Sequence, residues 1–138
     1  MATTILARRS FSAAAHPTRR TAAVLWGIQG VLAALFLFAG GTKLVMPAAA
    51  LAQQSTLPIW FVRFIGVAEV AGALGLILPG LTGIRPRLTP LAAAGLVIIM
   101  LGATAVTLTT PEAATAIIPA VVGLLAMYVV YGRTRVSR

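Results

Sequence analysis

Cysteine is absent from this sequence, and histidine occurs once, at His16. Without thiols there is no disulfide, no thiolate metal site and no dithiol redox chemistry. A single histidine, placed ahead of the first long apolar run, excludes a haem held by two imidazoles within one copy. Acid is almost missing too. Glu69 and Glu112 are the only carboxylate side chains, set against 11 Lys and Arg, for a net charge of +9. No constellation of metal ligands, no nucleophile–base set and no phosphate-binding loop can be assembled, so the sequence names no catalytic residue. Charged residues make up 9% of the chain and hydrophobic residues 59%. A soluble domain carries about 25% charged residues. A chain of 138 residues cannot hide that much apolar area inside one water-facing globule. The solvent that fits is a lipid bilayer. Nucleic acid is an unsuitable partner, because the basic residues sit at helix ends and tails and form no solvated face with polar or aromatic readers.

What is present is a set of long uncharged runs. A membrane span needs about 20 mostly apolar residues, and four stretches qualify, near 22–45, 58–79, 88–110 and 113–132. Pro58 and Pro90 suit first helical turns, where a missing N–H is not needed. Pro79 and Gly80 read as the end of the second span, and Pro119 as a kink in the fourth that neighbouring helices repair. Residues 48–53 of the first loop read as a short interfacial turn of helix. The expected fold is all-α, a bundle of four transmembrane helices within residues 21–133. Arg8, Arg9, Arg19, Arg20, Arg85, Arg87, Arg133, Arg135 and Arg138 fall on one side of that topology, and only Lys43 and Arg63 on the other. Excess Lys and Arg mark the cytoplasmic side, so both termini are expected there.

Residues 1–20 then form a basic cytoplasmic tail expected to be disordered, and 134–138 a second basic tail. The first tail is Arg-rich and acid-free and also resembles an organellar transit peptide in composition, but enforcement of orientation explains it as well. Trp26, Trp60, Tyr128 and Tyr131 lie near span ends and read as interfacial anchors. Small residues recur at four-residue spacing, as in Ala68/Gly72 and Ala71/Gly75, with others at 39–41, 92–95, 102–103 and 120–126. That spacing lets helices approach closely. It leaves association of copies open.

Glu69 is the residue with most to explain. It lies about 16 Å along the second span from Pro58, near mid-membrane. Ionised and facing lipid it would cost several kcal/mol, so it must be paired, protonated or turned inward. Candidate partners are Arg63 on the same helix, Lys43 at the end of the first, and Gln29 toward that helix's other half. Thr104 and Thr107 offer hydroxyls from the third helix. The set Glu69, Arg63, Lys43, Gln29 and Thr107 is therefore either a polar pocket that binds a ligand or relays protons, or an ion pair that fixes helix register.

Residues 63–103, RFIGVAEVAGALGLILPGLTGIRPRLTPLAAAGLVIIMLGA, strongly resemble the DoxX-like family of small bacterial membrane proteins. The likeness rests on an Arg-x-x-Gly-x-x-Glu element at Arg63, Gly66 and Glu69, and on the Leu-x-Leu-Pro ending at Leu76, Leu78 and Pro79. Phe38 to Leu44, FAGGTKL, is similar to the family's first-helix ending. The resemblance implies a four-helix bundle in the bacterial plasma membrane. It also implies association with quinones or redox complexes, since distant relatives include the small subunit of an archaeal thiosulfate:quinone oxidoreductase. At Thr107 this sequence departs from the histidine that many relatives carry near the end of the third helix.

Two functional expectations follow. One is an accessory or ligand-binding membrane protein, not itself a catalyst, whose polar cluster holds a small ligand such as a quinone or docks a redox enzyme. The other is a small proton-coupled transporter that works through Glu69.

Overall fold

In water, helices this apolar would have no preferred face. Every long segment is hydrophobic around most of its circumference, so the few small and polar residues decide which side turns inward. The computed structural model describes residues 19–136, and among these every regular element is helical. The elements are α1 (Arg19–Val45), α2 (Ala48–Gln54), α3 (Ile59–Thr82), α4 (Leu88–Leu108), a 3₁₀ turn at Ala113–Ala116 and α5 (Ile117–Val136). Four helical stretches are long and apolar enough to cross a membrane: α1, α3, α4, and α5 together with the 3₁₀ turn before it. Both ends of the described chain emerge on one side of the bundle, the terminal end. The short helix α2 belongs to the other, the loop end. The basic tail expected at residues 1–20 lies outside the described residues except for Arg19 and Arg20, which open α1. The short tail expected from 134 is helical through Val136, and residues 137–138 lie outside the described residues.

Each connection has a local cause. Pro47 cannot continue α1, and it caps α2 with an extended ψ of 148°. Leu51, buried, pegs α2 down. Pro58 plays the same capping part for α3, with ψ 143°.

Two sequence expectations need correction here. The helix α3 does not stop at Pro79 and Gly80. It runs on to Thr82, with Pro79 buried inside it, and ends at Gly83, whose φ of 69° favours a residue without a side chain. A proline within a membrane helix is tolerated because surrounding helices supply what it removes. Nor does Pro119 interrupt its helix. The chain enters α5 from a 3₁₀ turn, so Pro119 falls in the first turn of α5, where no N–H donor is missed.

The helices α1, α3, α4 and α5 pack in that order around a ring, each against the next, and a lighter α1–α5 contact closes it. Their buried residues recur at spacings of three or four: Val62, Gly66, Glu69, Ala73, Leu76 and Pro79 on α3, and Thr89, Ala93, Leu96 and Met100 on α4. The core is a cluster of Leu32, Phe36, Leu76, Leu96, Met100 and Val129 with alanines between them. Outside it, Phe38, Leu91, Ile98, Leu101 and Leu124 are exposed. An apolar exterior of this extent is stable only against lipid.

Glycines set the closest approaches. A Cβ on Gly40 of α1 would lie 2.7 Å from the carbonyl oxygen of Gly66 on α3, and one on Gly66 would lie 3.0 Å from the Lys43 Cβ. Gly72 and Gly75 seat Leu96 and Ala92 of α4. By contrast Gly95 and Gly102 face open space, so the small residues of α4 at those positions do not serve packing within the bundle. Gly40→Ala should therefore destabilise the protein by about 1–3 kcal/mol, through overpacking against backbone. Gly95→Ala should be neutral or gain up to about 1 kcal/mol from helix propensity. Thermal unfolding in detergent, followed by circular dichroism, distinguishes the two.

Candidate functional site

The Gly40–Gly66 crossing decides where the charges meet. Lys43 lies one turn beyond Gly40, and Glu69 one turn beyond Gly66, so the close backbone contact brings both side chains to the same α1–α3 seam. Lys43 Nζ donates to Glu69 Oε2 at 2.8 Å. The pair is asymmetric: the glutamate side chain is 3% exposed, whereas the lysine side chain retains 30% of its surface open. A carboxylate shut inside a low-dielectric bundle needs a permanent cation beside it. Lys43 supplies that cation from a flexible stem that still reaches outward.

Arg63 stands near this pair but does a different job. Its Nη1 donates to the carbonyls of Lys43, at 3.1 Å, and Leu44, and its Nη2 donates to that of Met46 at 2.9 Å. The last carbonyls of a helix have no partners within it and carry partial negative charge. The planar guanidinium on α3 therefore caps the end of α1, where hydrocarbon or headgroups would leave those oxygens poorly satisfied. Spacing along α3 could not reveal this, because the acceptors are backbone atoms of another helix.

The remaining residues of the sequence-derived set lie elsewhere. Thr107 donates its hydroxyl to Ala103 of its own helix at 2.8 Å, and Thr104 does the same to Met100 at 2.7 Å. Thr109 and Thr110 likewise bond Val106 and Thr107 at 2.7 Å each. These threonines quiet the carbonyls of the last turns of α4. Gln29 is buried toward the terminal end, away from the ion pair. Its Nε2 donates to the Leu76 carbonyl of α3, and its Oε1 accepts from Arg133 Nε of α5 at 2.6 Å. One amide thus joins three helices.

Sequence reasoning missed Arg133 and Trp26 at this second cluster. Arg133 reads as one more basic residue of the cytoplasmic side, and Trp26 as a belt anchor. Instead the guanidinium carbon lies 5.2 Å from the centre of the Trp26 ring. That ring packs where a Cβ on Gly80 would come within 2.5 Å of it. The signal available beforehand was Gln29 itself, an amide inside an apolar span that must find partners for both its ends.

Between α4 and α5 runs an apolar groove of about 230 Å³, lined by Met100, Leu101, Pro119, Gly123, Leu124 and Met127 among others. It offers one hydroxyl, that of Thr104, already bonded to its own helix. No group of three or more potential metal ligands occurs among the described residues.

The ion pair makes a sharp energetic prediction. Lys43→Met leaves the buried Glu69 charge uncompensated and should cost about 3 kcal/mol, the usual penalty for breaking such a pair. Adding Glu69→Leu in the same chain should recover most of the loss. Unfolding of the single and double variants in one detergent gives the coupling energy.

Neither a curated protein nor a solved structure matches the chain. The model of one family does, that of the DoxX-like family, over residues 27–129. The match takes in Gln29, Lys43, Arg63, Glu69 and Thr107, and stops short of Trp26 and Arg133. With most of its length covered, this multi-pass membrane chain belongs to the DoxX-like family.

Proposed function

We propose that the chain is an accessory, ligand-holding protein of the bacterial plasma membrane, with its termini cytoplasmic and the Lys43–Glu69 pair as its working site. The observation that carries this reading is the asymmetry of that pair. An ammonium has three donors, and among the described residues the one side-chain partner of Lys43 is the Glu69 carboxylate. The lysine side chain stays 30% open, so its other donors are free for an acceptor arriving along the seam. A quinone carbonyl suits them, as does an acceptor on a redox enzyme docked at the loop end. Buried Glu69 then works as a positioning group that holds the lysine in place. With no cysteine and one histidine in the sequence, electrons are better assigned to a bound ring or a partner than to this chain.

The transporter reading draws on one feature, that Glu69 is the single carboxylate on a membrane-crossing helix. It is the weaker of the two. A proton or a cationic substrate would have to displace the Lys43 ammonium at 2.8 Å. Proton release from proteoliposomes on adding cationic drugs would favour it.

The test is extraction of quinone from protein purified out of bacterial membranes in a mild maltoside. Wild-type protein should carry quinone near one per chain, or bring an oxidoreductase with it. The Lys43→Met/Glu69→Leu variant, chosen because it should remain folded, should retain at most a fifth of either. Wild-type protein with no more quinone than an unrelated four-helix membrane protein, and no redox partner, would sink the proposal.

A further inference from the structure

The charges at the two ends of the bundle are treated differently. At the loop end each cation has an acceptor in the chain: Lys43 has Glu69, and Arg63 has the α1 carbonyls. At the terminal end Arg133 spends Nε on Gln29, a neutral amide, and rests on the Trp26 ring. Its Nη2 is buried and has no hydrogen-bond partner among the described residues. A buried, unpaired donor on a cation is costly, and a missing partner deserves a physical explanation.

The explanation cannot be an acidic side chain of this protein. The sequence contains two, Glu69 and Glu112. Glu69 is engaged by Lys43, and Glu112 sits in the α4–α5 connection at the loop end, a bundle length away. The charged residues near Arg133 in sequence and at the terminal end are themselves basic: Arg19, Arg20, Arg85, Arg87 and Arg135. Of these, Arg135 lies 4.5 Å over the Tyr131 ring. No acidic side chain of the protein therefore compensates Arg133, and an anion from another molecule would do so.

The guanidinium is also prepared to receive one. Gln29 is fixed from its other side by the Leu76 carbonyl, so its oxygen must point at Arg133. The guanidinium carbon sits over the Trp26 ring, and Gly80 makes room for that ring. Gly132 makes room for Leu25, where a Cβ would meet Leu25 Cδ2 at 2.6 Å, and so lets α1 and α5 close beside the site. Arg133 lies in the last turn of α5, and the ends of membrane spans are where a bilayer's headgroups begin. Guanidinium nitrogens in a fixed fork match phosphate oxygens better than a point charge does, and basic pockets between membrane helices suit such headgroups.

We propose that Arg133, held by Gln29 on the face of Trp26, is a binding site for a phosphate oxyanion at the terminal end of the bundle. The source is either the phosphodiester of an anionic lipid or free phosphate. The site is separate from the Lys43–Glu69 pair and does not depend on the function assigned to that pair.

Trp26 is a built-in reporter, because the sequence has two tryptophans and Trp60→Phe leaves it alone. The full chain carrying W60F, in a neutral maltoside, is titrated with phosphatidylglycerol, with diacylglycerol of the same tails, and with inorganic phosphate. A saturable change in Trp26 fluorescence with phosphatidylglycerol, at least tenfold tighter than with diacylglycerol, is the expected result and identifies lipid phosphate. Saturation by inorganic phosphate at comparable concentration supports the same site and identifies the free ion as the source. Arg133→Gln should weaken binding at least tenfold, whereas Arg135→Gln, an equal loss of charge on the same helix, should change it less than twofold. If Arg133→Gln does not fold, Arg133→Lys keeps the charge without the fork and should weaken binding at least fivefold. Equal responses to phosphatidylglycerol and diacylglycerol without a response to phosphate, no saturable response at all, or equal effects of the two arginine substitutions would overturn the proposal.

Discussion

Two glycines facing each other across α1 and α3 set the geometry on which the rest of the loop end depends. Where Gly40 and Gly66 meet, backbone touches backbone, and a methyl group on either side would drive the helices apart. At that separation a lysine one turn along α1 reaches a carboxylate one turn along α3. An arginine one turn the other way on α3 reaches the last carbonyls of α1. A wider crossing would leave a charged glutamate in hydrocarbon and three carbonyl oxygens without the Arg63 donors, each a loss of several kcal/mol. The close contact and the polar groups thus require each other. Neither the glycines nor the charges would be stable in this place alone.

The bundle handles polarity by the same rule throughout. Hydroxyls on α4 return to their own helix, the buried amide of Gln29 joins three helices, and Arg63 serves another helix's end. What remains unpaired stands out against that economy. The outward sides of the long helices are mostly hydrocarbon, as a bilayer requires, so polar atoms within the bundle identify the few positions there where chemistry with another molecule can occur.

Much of this was legible in the residues. Length and uninterrupted apolarity gave four membrane-crossing helices, and the cost of a mid-membrane carboxylate made Glu69 an inward-facing group with Lys43 among its candidate partners. The helix ends were less legible. Pro79 looks like a stop, but α3 continues because its proline is enclosed by other helices. Pro119 looks like a kink, but a preceding 3₁₀ turn moves it to a harmless position. The roles of Arg63 and Arg133 were hidden for a common reason. Their acceptors are main-chain oxygens, an amide and an aromatic face, none of which is marked by opposite charge along the chain. Thr107 bonds its own helix, since a hydroxyl on a membrane helix can satisfy itself locally.

The guanidinium clasp from α3 onto the end of α1 bears on biogenesis. While α1 stands alone in the bilayer, its final carbonyls and the Lys43 ammonium both lack companions, and a solitary α3 would carry Glu69 and Arg63 bare. Together the two segments cancel one another's debts. The first half of the protein is thus suited to leave the insertion machinery as a paired hairpin, with α2 as its external bend, and to present a finished wall on which the second pair of helices can settle.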